Sequence, residues 1–188
     1  TDAGRWTFAQ ASSRFIPGTG TVTFNAGSGE TQQINIRVGN TNCAFYHVEH
    51  TGAGTLQAYS SSGDIDVNGS FTNSAGIFDL NGRTMTVAGD WTNSATFTAN
   101  GGTVVFDGTG LVSPGGTDPL RHAFYDLTID AGTGARTQTG SDMLVLGSFY
   151  LAPGTFDHTG QALTVGAEGS TVAFTLDNGT TFTAGTAL

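Results

Sequence analysis

The chain has 188 residues, of which 29 are glycine and 11 % are charged. Six arginines, no lysine and fifteen acidic residues give it a formal net charge of −9. A chain this acidic lacks the basic groups that displace counterions from nucleic acid or bind an anionic membrane surface. The sequence has no apolar run long enough to cross a bilayer, so no segment is predicted to span one. The single cysteine, Cys43, excludes an intrachain disulfide framework.

Short segments with strand character recur from the N-terminal to the C-terminal part of the chain. Residues 21–24, 84–87, 96–99 and 103–106 alternate threonine with apolar residues or form short β-branched runs. Asn-Gly, Ala-Gly and Asp-Gly pairs at 81–82, 88–89 and 107–108 lie between strands and permit turns with positive φ. No window has apolar residues at helical spacing, so we expect almost no helix.

The sequence repeats itself on two length scales. The segment GTVTF at 20–24 returns as GTVVF at 102–106, and CAFY at 43–46 returns as HAFY at 122–125. Both matches fit a long period of about 80 residues. Inside this period, VNGSFT at 67–72 resembles VAGDWT at 87–92, which defines a second, shorter period. The predicted organisation is one array, with a partial repeat (1–18), two repeats (19–101 and 102–170) and a further partial repeat (171–188).

The shorter period, of about 20 residues, is what one coil of a parallel β-solenoid requires. The sequence therefore predicts an all-β, right-handed parallel β-helix, with four coils in each large repeat. The alternative is a pair of tandem antiparallel β-sandwiches, with Asn-Gly pairs closing hairpins. The two architectures differ in strand pairing, because only the solenoid places Val67 beside Val87 in a parallel ladder.

Several segments of the sequence resemble the repeated motifs of long bacterial surface and secreted repeat proteins. They are WTNS at 91–94, FIPGTGTVTFN at 15–25, FYDLTI at 124–129 and IFDLNGRTMTV at 77–87. The pattern is lost at 46–50 (YHVEH) and is interrupted by an insertion at 114–121. The resemblance implies an extracellular or cell-surface, β-rich and non-catalytic stalk, coat or adhesin segment. It supplies no catalytic residues.

The two ends of the predicted array are the candidate site. The chain begins late in a repeat and stops where the next Trp segment is due, so Leu188 of one copy could precede Thr1 of another. A solenoid without polar caps leaves strand edges and apolar faces bare, and such heterologous ends produce open fibres. We expect self-association between an end containing Trp6 and Phe8 and an end containing Phe174 and Phe182.

Other candidate chemistry is weaker. Cys43, His47 and His50 suggest a metal site, but they do not share one strand face and the set is not repeated. The pair Asp64 and Asp66 suggests acid–base catalysis, but the second repeat has no counterpart. The Thr-x-Thr pairs are explained as solvated strand residues rather than as a flat recognition array. Asp79 and Asp157 are explained as turn formers rather than as calcium ligands. Asn68 and Asn178 lie in glycosylation sequons that also fit turns.

These patterns predict a structural extracellular protein that is not an enzyme and needs no metal or cofactor. It would be a subunit of a filament or a segment of a surface stalk, with copies of itself or flanking repeats as partners. The alternative is a carbohydrate-binding adhesin module, whose partners are glycans. End-to-end contacts would mark the first function, and an exposed aromatic groove on the side would mark the second.

Overall fold

The computed structural model describes residues 2–10, 12–158, 160–166 and 172–183. The described chain is all-β, apart from one 3-10 turn at Pro119–Arg121. The strands in chain order are β1 (Asp2–Phe8), β2 (Thr21–Phe24), β3 (Thr31–Ile36), β4 (His47–His50), β5 (Thr55–Ala58), β6 (Ile65–Val67), β7 (Phe71–Asn73), β8 (Ile77–Asp79), β9 (Thr84–Val87), β10 (Trp91–Asn93), β11 (Thr96–Thr98), β12 (Thr103–Phe106), β13 (Gly110–Ser113), β14 (Asp126–Ile129), β15 (Ala135–Gln138), β16 (Met143–Val145), β17 (Phe149–Leu151), β18 (Gly154–Asp157), β19 (Leu163–Val165), β20 (Phe174–Leu176) and β21 (Thr180–Thr183).

The strands form the three faces of a β-solenoid, which the chain visits in the order 1, 2, 3. Face 1 is the sheet β1-β3-β5-β8-β11, and it resumes as β16-β19 after the 3-10 turn, which contacts both β11 and β16. Face 2 is the sheet β6-β9-β12-β14-β17-β20, and face 3 is β2-β4-β7-β10-β13-β15-β18-β21. Neighbouring strands on face 3 are one turn apart, so its eight strands mark seven turns.

Every strand pair in the described chain is parallel, and the register agrees with the short period. Val67 lies opposite Val87 in the β6–β9 ladder, one short period further along the chain. This pairing confirms the solenoid and rules out the antiparallel sandwiches. Coil length varies: the coil that pairs Ile77 with Thr96 is short, whereas the one that pairs Trp6 with Ile34 is much longer. The longer coils carry their additional residues in the connections between faces.

Alternating side chains point into the solenoid and stack from coil to coil. Phe71 and Trp91 are register partners on face 3, with ring centroids 4.7 Å apart, and Phe78 stacks on Phe97 at 5.7 Å on face 1. Trp91 also contacts Phe97 edge-on at 5.1 Å. None of these rings is more than 2 % exposed. The interior therefore stabilises the fold by burying one coil on the next, as repeat architectures require.

Turns between faces use residues that tolerate the left-handed backbone region. Asn81 and Asn100 both have φ of 50°, and each is followed by a glycine with positive φ. Asn100 donates through Nδ2 to Asp79, which also accepts from the Asn81 amide two positions further on. The φ angles confirm the positive-φ turn predicted at 81–82, and the contacts confirm the turn-forming role of Asp79. The Ala-Gly and Asp-Gly pairs differ from the prediction, because Gly89 and Gly108 do not have positive φ.

The long sequence repeat does not correspond to a whole number of solenoid coils. The matching segments 21–24 and 103–106 form β2 on face 3 and β12 on face 2. Likewise Phe45 bridges to β6 on face 2, whereas its counterpart Phe124 bridges to β16 on face 1. From β2 to β12 the chain advances by eleven faces, counting the position of Phe45 on face 2. With three faces to a coil, one repeat therefore covers three and two-thirds coils rather than the four expected. Equivalent residues of the two repeats therefore lie on different faces.

Candidate functional site

A cluster of aromatic rings around Trp6 lies at the N-terminal end of the solenoid. Trp6 packs against Phe15 at 5.3 Å and Phe45 at 5.8 Å, and Phe8 lies 6.0 Å away. Trp6 and Phe8 both remain half-buried. A hollow of about 220 Å³ between β1 and β2 is bounded by Trp6 and Phe24. This end therefore presents a partly accessible aromatic surface.

The C-terminal end has a second aromatic cluster. Phe174 stacks on Phe149 at 5.1 Å and meets Phe182 edge-on at 5.6 Å, while His158 lies 4.8 Å from the Phe182 ring. Phe174 is 47 % exposed and its strand neighbour Leu176 is 45 % exposed. These exposures contrast with Phe149, which occupies the equivalent position one coil earlier and is fully buried.

Strand edges are open at both ends within the described chain. On faces 1 and 3, β1 pairs only with β3 and β2 only with β4. At the other end, β19, β20 and β21 each pair only with the strand of the preceding coil. Residues 1, 167–171 and 184–188, on which parts of the predicted end segments fall, lie outside the described residues. The structure thus brings the four predicted aromatic residues to the two ends, two at each.

The side chains of the three candidate metal ligands lie in different environments. Cys43 is buried, donates from Sγ to the Ser13 carbonyl, and has its pKa raised by burial. His47 accepts a hydrogen bond from the Ser70 amide through Nδ1, and His50 is fully buried beside Asn73. Among the residues that the structure describes, no group of three or more His, Cys, Asp or Glu side chains could hold a metal ion.

The Asp64–Asp66 pair lines a small hollow that the sequence did not indicate. The hollow has a volume of about 150 Å³, and Arg37 and Cys43 also line it. Burial raises the pKa of Asp66, and the nearby carboxylate of Asp107 raises it further. Arg37 comes from the preceding coil, so its presence depends on stacking rather than on sequence distance. A hollow of this size is below the range of ordinary ligand pockets.

The remaining candidates are dispersed over the surface. Asn68 and Asn178 are both exposed in connections between strands, so both sequons are accessible. The Thr-x-Thr pairs do not form a flat array, because they are divided among all three faces: Thr96 and Thr98 on face 1, Thr84 and Thr86 on face 2, and Thr21/Thr23, Thr137/Thr139 and Thr181/Thr183 on or beside face 3.

A buried polar chain, which sequence reasoning missed, follows the solenoid axis at the corner after face 3. His50 Nδ1 lies 2.8 Å from Asn73 Oδ1, and Asn73 donates from Nδ2 to Asn93 Oδ1 at 2.7 Å. Asn93 Nδ2 lies 2.8 Å from His122 Nδ1 and also donates to the Pro114 carbonyl at 2.8 Å. Burial lowers the pKa of both histidines. The spacing between the two asparagines equals the short sequence period. This spacing is the one sequence signal that could have revealed the buried row of hydrogen-bonded side chains.

Arg136 is a second internal polar feature. Its side chain is fully buried, and its guanidinium donates to four backbone carbonyls and lies 4.7 Å from the Phe106 ring centroid. Gly110 is the register partner of Arg136 on face 3, and a Cβ at Gly110 would lie 3.2 Å from Nη1 of Arg136. Both features stabilise the shaft between the ends, and neither is accessible to a ligand.

Comparisons with protein-family models, with curated proteins and with solved structures find no significant match to this chain. In the described part of the chain, no helix is both long enough and apolar enough to cross a membrane. What the structure itself establishes is a β-strand repeat protein whose coils stack as a solenoid.

Proposed function

We propose that this chain is a non-catalytic structural protein, a subunit of a filament or a segment of a surface stalk, which assembles head to tail through its solenoid ends. The observation that carries the proposal is the pair of aromatic ends at which strand edges are open. Location outside the cell or at its surface is part of the proposal and rests on the composition and on the resemblance described above.

The geometry of the strands supports stacking in one direction. All strands on a face run parallel, so the free edge of β21 and the free edge of β2 have the same polarity. A second copy could therefore extend face 3 by placing its β2 beside β21, and extend face 1 by placing its β1 beside β19. Such pairing satisfies backbone groups that an open sheet edge leaves to solvent. Because the two ends differ, the contact is heterologous and continues into a fibre.

The side chains at the ends support the same contact. Phe174 and Leu176 expose nearly half of their surface, and a further coil stacked on them would remove most of it from water. Trp6 and Phe8, half-buried on the opposite end, would be covered by the same event. Burial of each half-exposed aromatic or leucine side chain contributes on the order of 1 kcal/mol.

The sides of the solenoid are less suited to association. On face 1 a ladder of side chains runs across four coils, from Arg5 to Gln33 at 2.9 Å, on to Gln57 at 3.2 Å and then to Asp79 at 2.8 Å. These polar groups already satisfy one another. With a net charge of −9 on the chain, copies side by side repel, whereas copies end to end place fewer charges close together.

The test is the size distribution of the purified chain. Sedimentation velocity over a range of concentrations should show growth beyond the monomer, and electron microscopy should show thin filaments of solenoid width. The double substitution Phe174→Asp and Leu176→Asp should leave a monomer. The matched control is Ile77→Asp, since Ile77 is 41 % exposed on the side of the shaft, and it should assemble as the wild type does.

A wild-type chain that stays monomeric at high concentration refutes the proposal in both its forms, because filament subunit and stalk segment have the same open ends. Assembly that is abolished by the Ile77 control and not by the end substitutions would also refute it, since the contact would then be lateral.

A second candidate function, a carbohydrate-binding surface adhesin module, has one observation in its favour. Tyr125 is 43 % exposed and lines a groove on the side of the shaft.

A further inference from the structure

The insertion at 114–121 interrupts face 1 and opens a groove beside β11. The 3-10 turn Pro119–Arg121 stands in the coil where face 1 would have a strand, so the sheet stops at β11 and resumes at β16. As a result, β11 pairs only with β8 among the described strands. In a parallel pair, alternate residues direct their N–H and C=O groups to opposite edges. The backbone groups of Phe97 therefore face the gap.

The groove has a volume of about 410 Å³, which is within the usual range for ligand sites. One wall is β11 and the turn after it, with the side chains of Thr96, Thr98 and Asn100. The opposite wall is formed by Leu120 and Tyr125, together with Arg121 and Leu146. Leu120 is 72 % exposed, and the Tyr125 ring is 43 % exposed. An aromatic surface thus faces a row of hydroxyl and amide groups.

The polar groups in the groove match a neutral ligand with many hydroxyls. Threonine hydroxyls both donate and accept hydrogen bonds, and the Asn100 side-chain oxygen is an additional acceptor. Arg121 is the one cation among the described residues that line the groove, and it lies 3.4 Å from the Asp118 carboxylate, so its charge is partly neutralised. The net charge of −9 on the chain further disfavours an anionic ligand.

An extended peptide fits the groove less well than a sugar does. Strand addition relies on several main-chain hydrogen bonds along a sheet edge, and β11 spans only Thr96–Thr98. Its free edge offers the groups of one central residue, Phe97. A sugar ring needs no long edge, because it can lay its C–H face on an aromatic ring and direct its hydroxyls to short polar side chains.

We propose that this groove binds a neutral oligosaccharide, with one sugar ring stacked on Tyr125 and its hydroxyls bonded to Thr96, Thr98 and Asn100. The site deepens the second candidate function and is independent of end-to-end assembly, since the groove lies on the side of the shaft, several coils from either end.

The first repeat offers a matched control for Tyr125. Tyr46 occupies the equivalent position in the sequence repeat, but the one-face offset between repeats places it elsewhere on the solenoid. Its ring packs edge-on against His47 at 4.6 Å and is half-buried. Tyr46→Ala therefore removes a tyrosine of the same sequence context without altering the groove.

The wild-type chain would be screened on an array of neutral and acidic oligosaccharides, and the strongest neutral ligand would then be titrated by calorimetry. We expect a neutral glycan to bind, Tyr125→Ala to weaken its affinity at least tenfold, and Tyr46→Ala to leave it unchanged. Circular dichroism would establish that both variants are folded. The double variant Phe174→Asp and Leu176→Asp should bind as the wild type does, whether or not it assembles.

The proposal would be overturned if the wild-type chain bound no glycan on the array, or bound acidic glycans alone. So would equal affinities of the wild type and Tyr125→Ala, or an equal loss in Tyr46→Ala. Loss of binding in the end variant would place the site between copies instead of in the groove. Capture of members of a random peptide library in place of glycans would assign the β11 edge to strand addition, which also overturns a saccharide site.

Discussion

Arg136 permits the sharpest test of how the interior of this solenoid is held together. Its guanidinium donates to the carbonyls of Val87, Ala88 and Gly89 before β10 and to that of Gly108 before β13. No carboxylate accepts from it directly in the described structure. Burial lowers its pKa from 12.5 to about 10, while the charges of two nearby aspartates oppose this decrease. Arg136 therefore stays charged at neutral pH and joins three successive coils.

The substitution Arg136→Met keeps most of the side-chain volume and removes the three N–H groups, one on Nη1 and two on Nη2, that donate to the four carbonyls. At about 2 kcal/mol for each charged donor, these bonds are worth about 6 kcal/mol together. The cost of burying the charge, taken from the fall in pKa to about 10, offsets about 3 kcal/mol of that sum. We therefore expect the free energy of unfolding to fall by about 3 kcal/mol. Arg136→Lys should fall between this variant and the wild type, because an ammonium group cannot reach four carbonyls at once.

The assay is equilibrium unfolding in guanidinium chloride, followed by the fluorescence of the two tryptophans, Trp6 and Trp91, and by circular dichroism. Coincidence of the two transitions tests two-state behaviour. The control is Arg83→Met, since Arg83 is half-buried and donates to two carbonyls of the preceding coil; it should cost about 1 kcal/mol or less. If Arg136→Met unfolds within about 1 kcal/mol of the wild type, the carbonyls do not depend on Arg136 and the reasoning is refuted.

Three further predictions concern the polar chain and the turns. Asn93→Ala removes three hydrogen bonds to buried groups in two neighbouring coils, so it should cost about 2–4 kcal/mol in the same unfolding assay; a loss below about 0.5 kcal/mol would contradict this. Burial lowers the pKa of His50 and His122 below the 6.5 of the unfolded chain, so the unfolded state binds more protons. The free energy of unfolding should therefore decrease as pH falls from 6.5 towards the folded-state pKa values. A free energy of unfolding that stays constant or increases as pH falls from 7.5 to 5.5 would count against this prediction. Gly76→Ala should destabilise more than Gly101→Ala in thermal unfolding: both have positive φ, but a Cβ on Gly76 would lie 2.1 Å from a carbonyl oxygen of the adjacent coil, whereas one on Gly101 meets no atom within 4 Å. Equal losses would show that backbone strain alone decides.

Strands, turns and coils were predictable because each depends on residues close together in sequence. Alternation in 84–87 predicts a strand with one buried side, and the structure buries Met85 and Val87. The spacing of Val67 and Val87 by one short period predicts their stacking, because a coil of constant length returns equivalent residues to the same face. Local pattern and short period together therefore determined the fold class.

The position of each repeat on the solenoid could not be obtained in this way. Two repeats of similar sequence occupy different faces because the number of strand positions in a repeat is eleven, which is not a multiple of three. That number depends on where connections are long enough to skip or add a strand, and thus on packing. The offset separates Tyr46, packed on His47, from Tyr125, which lines a groove.

The sequence by itself determined that this chain is built of short strands and Gly- or Asn-containing turns, repeated at coil length, with aromatic residues near both termini. Only the tertiary structure decided which distant residues meet: Arg136 with carbonyls one and two coils away, and His50 with His122 through two asparagines. The physical reason is that alternation reports whether a side chain points inward, whereas its partners are set by how many residues each coil requires to return to the same face.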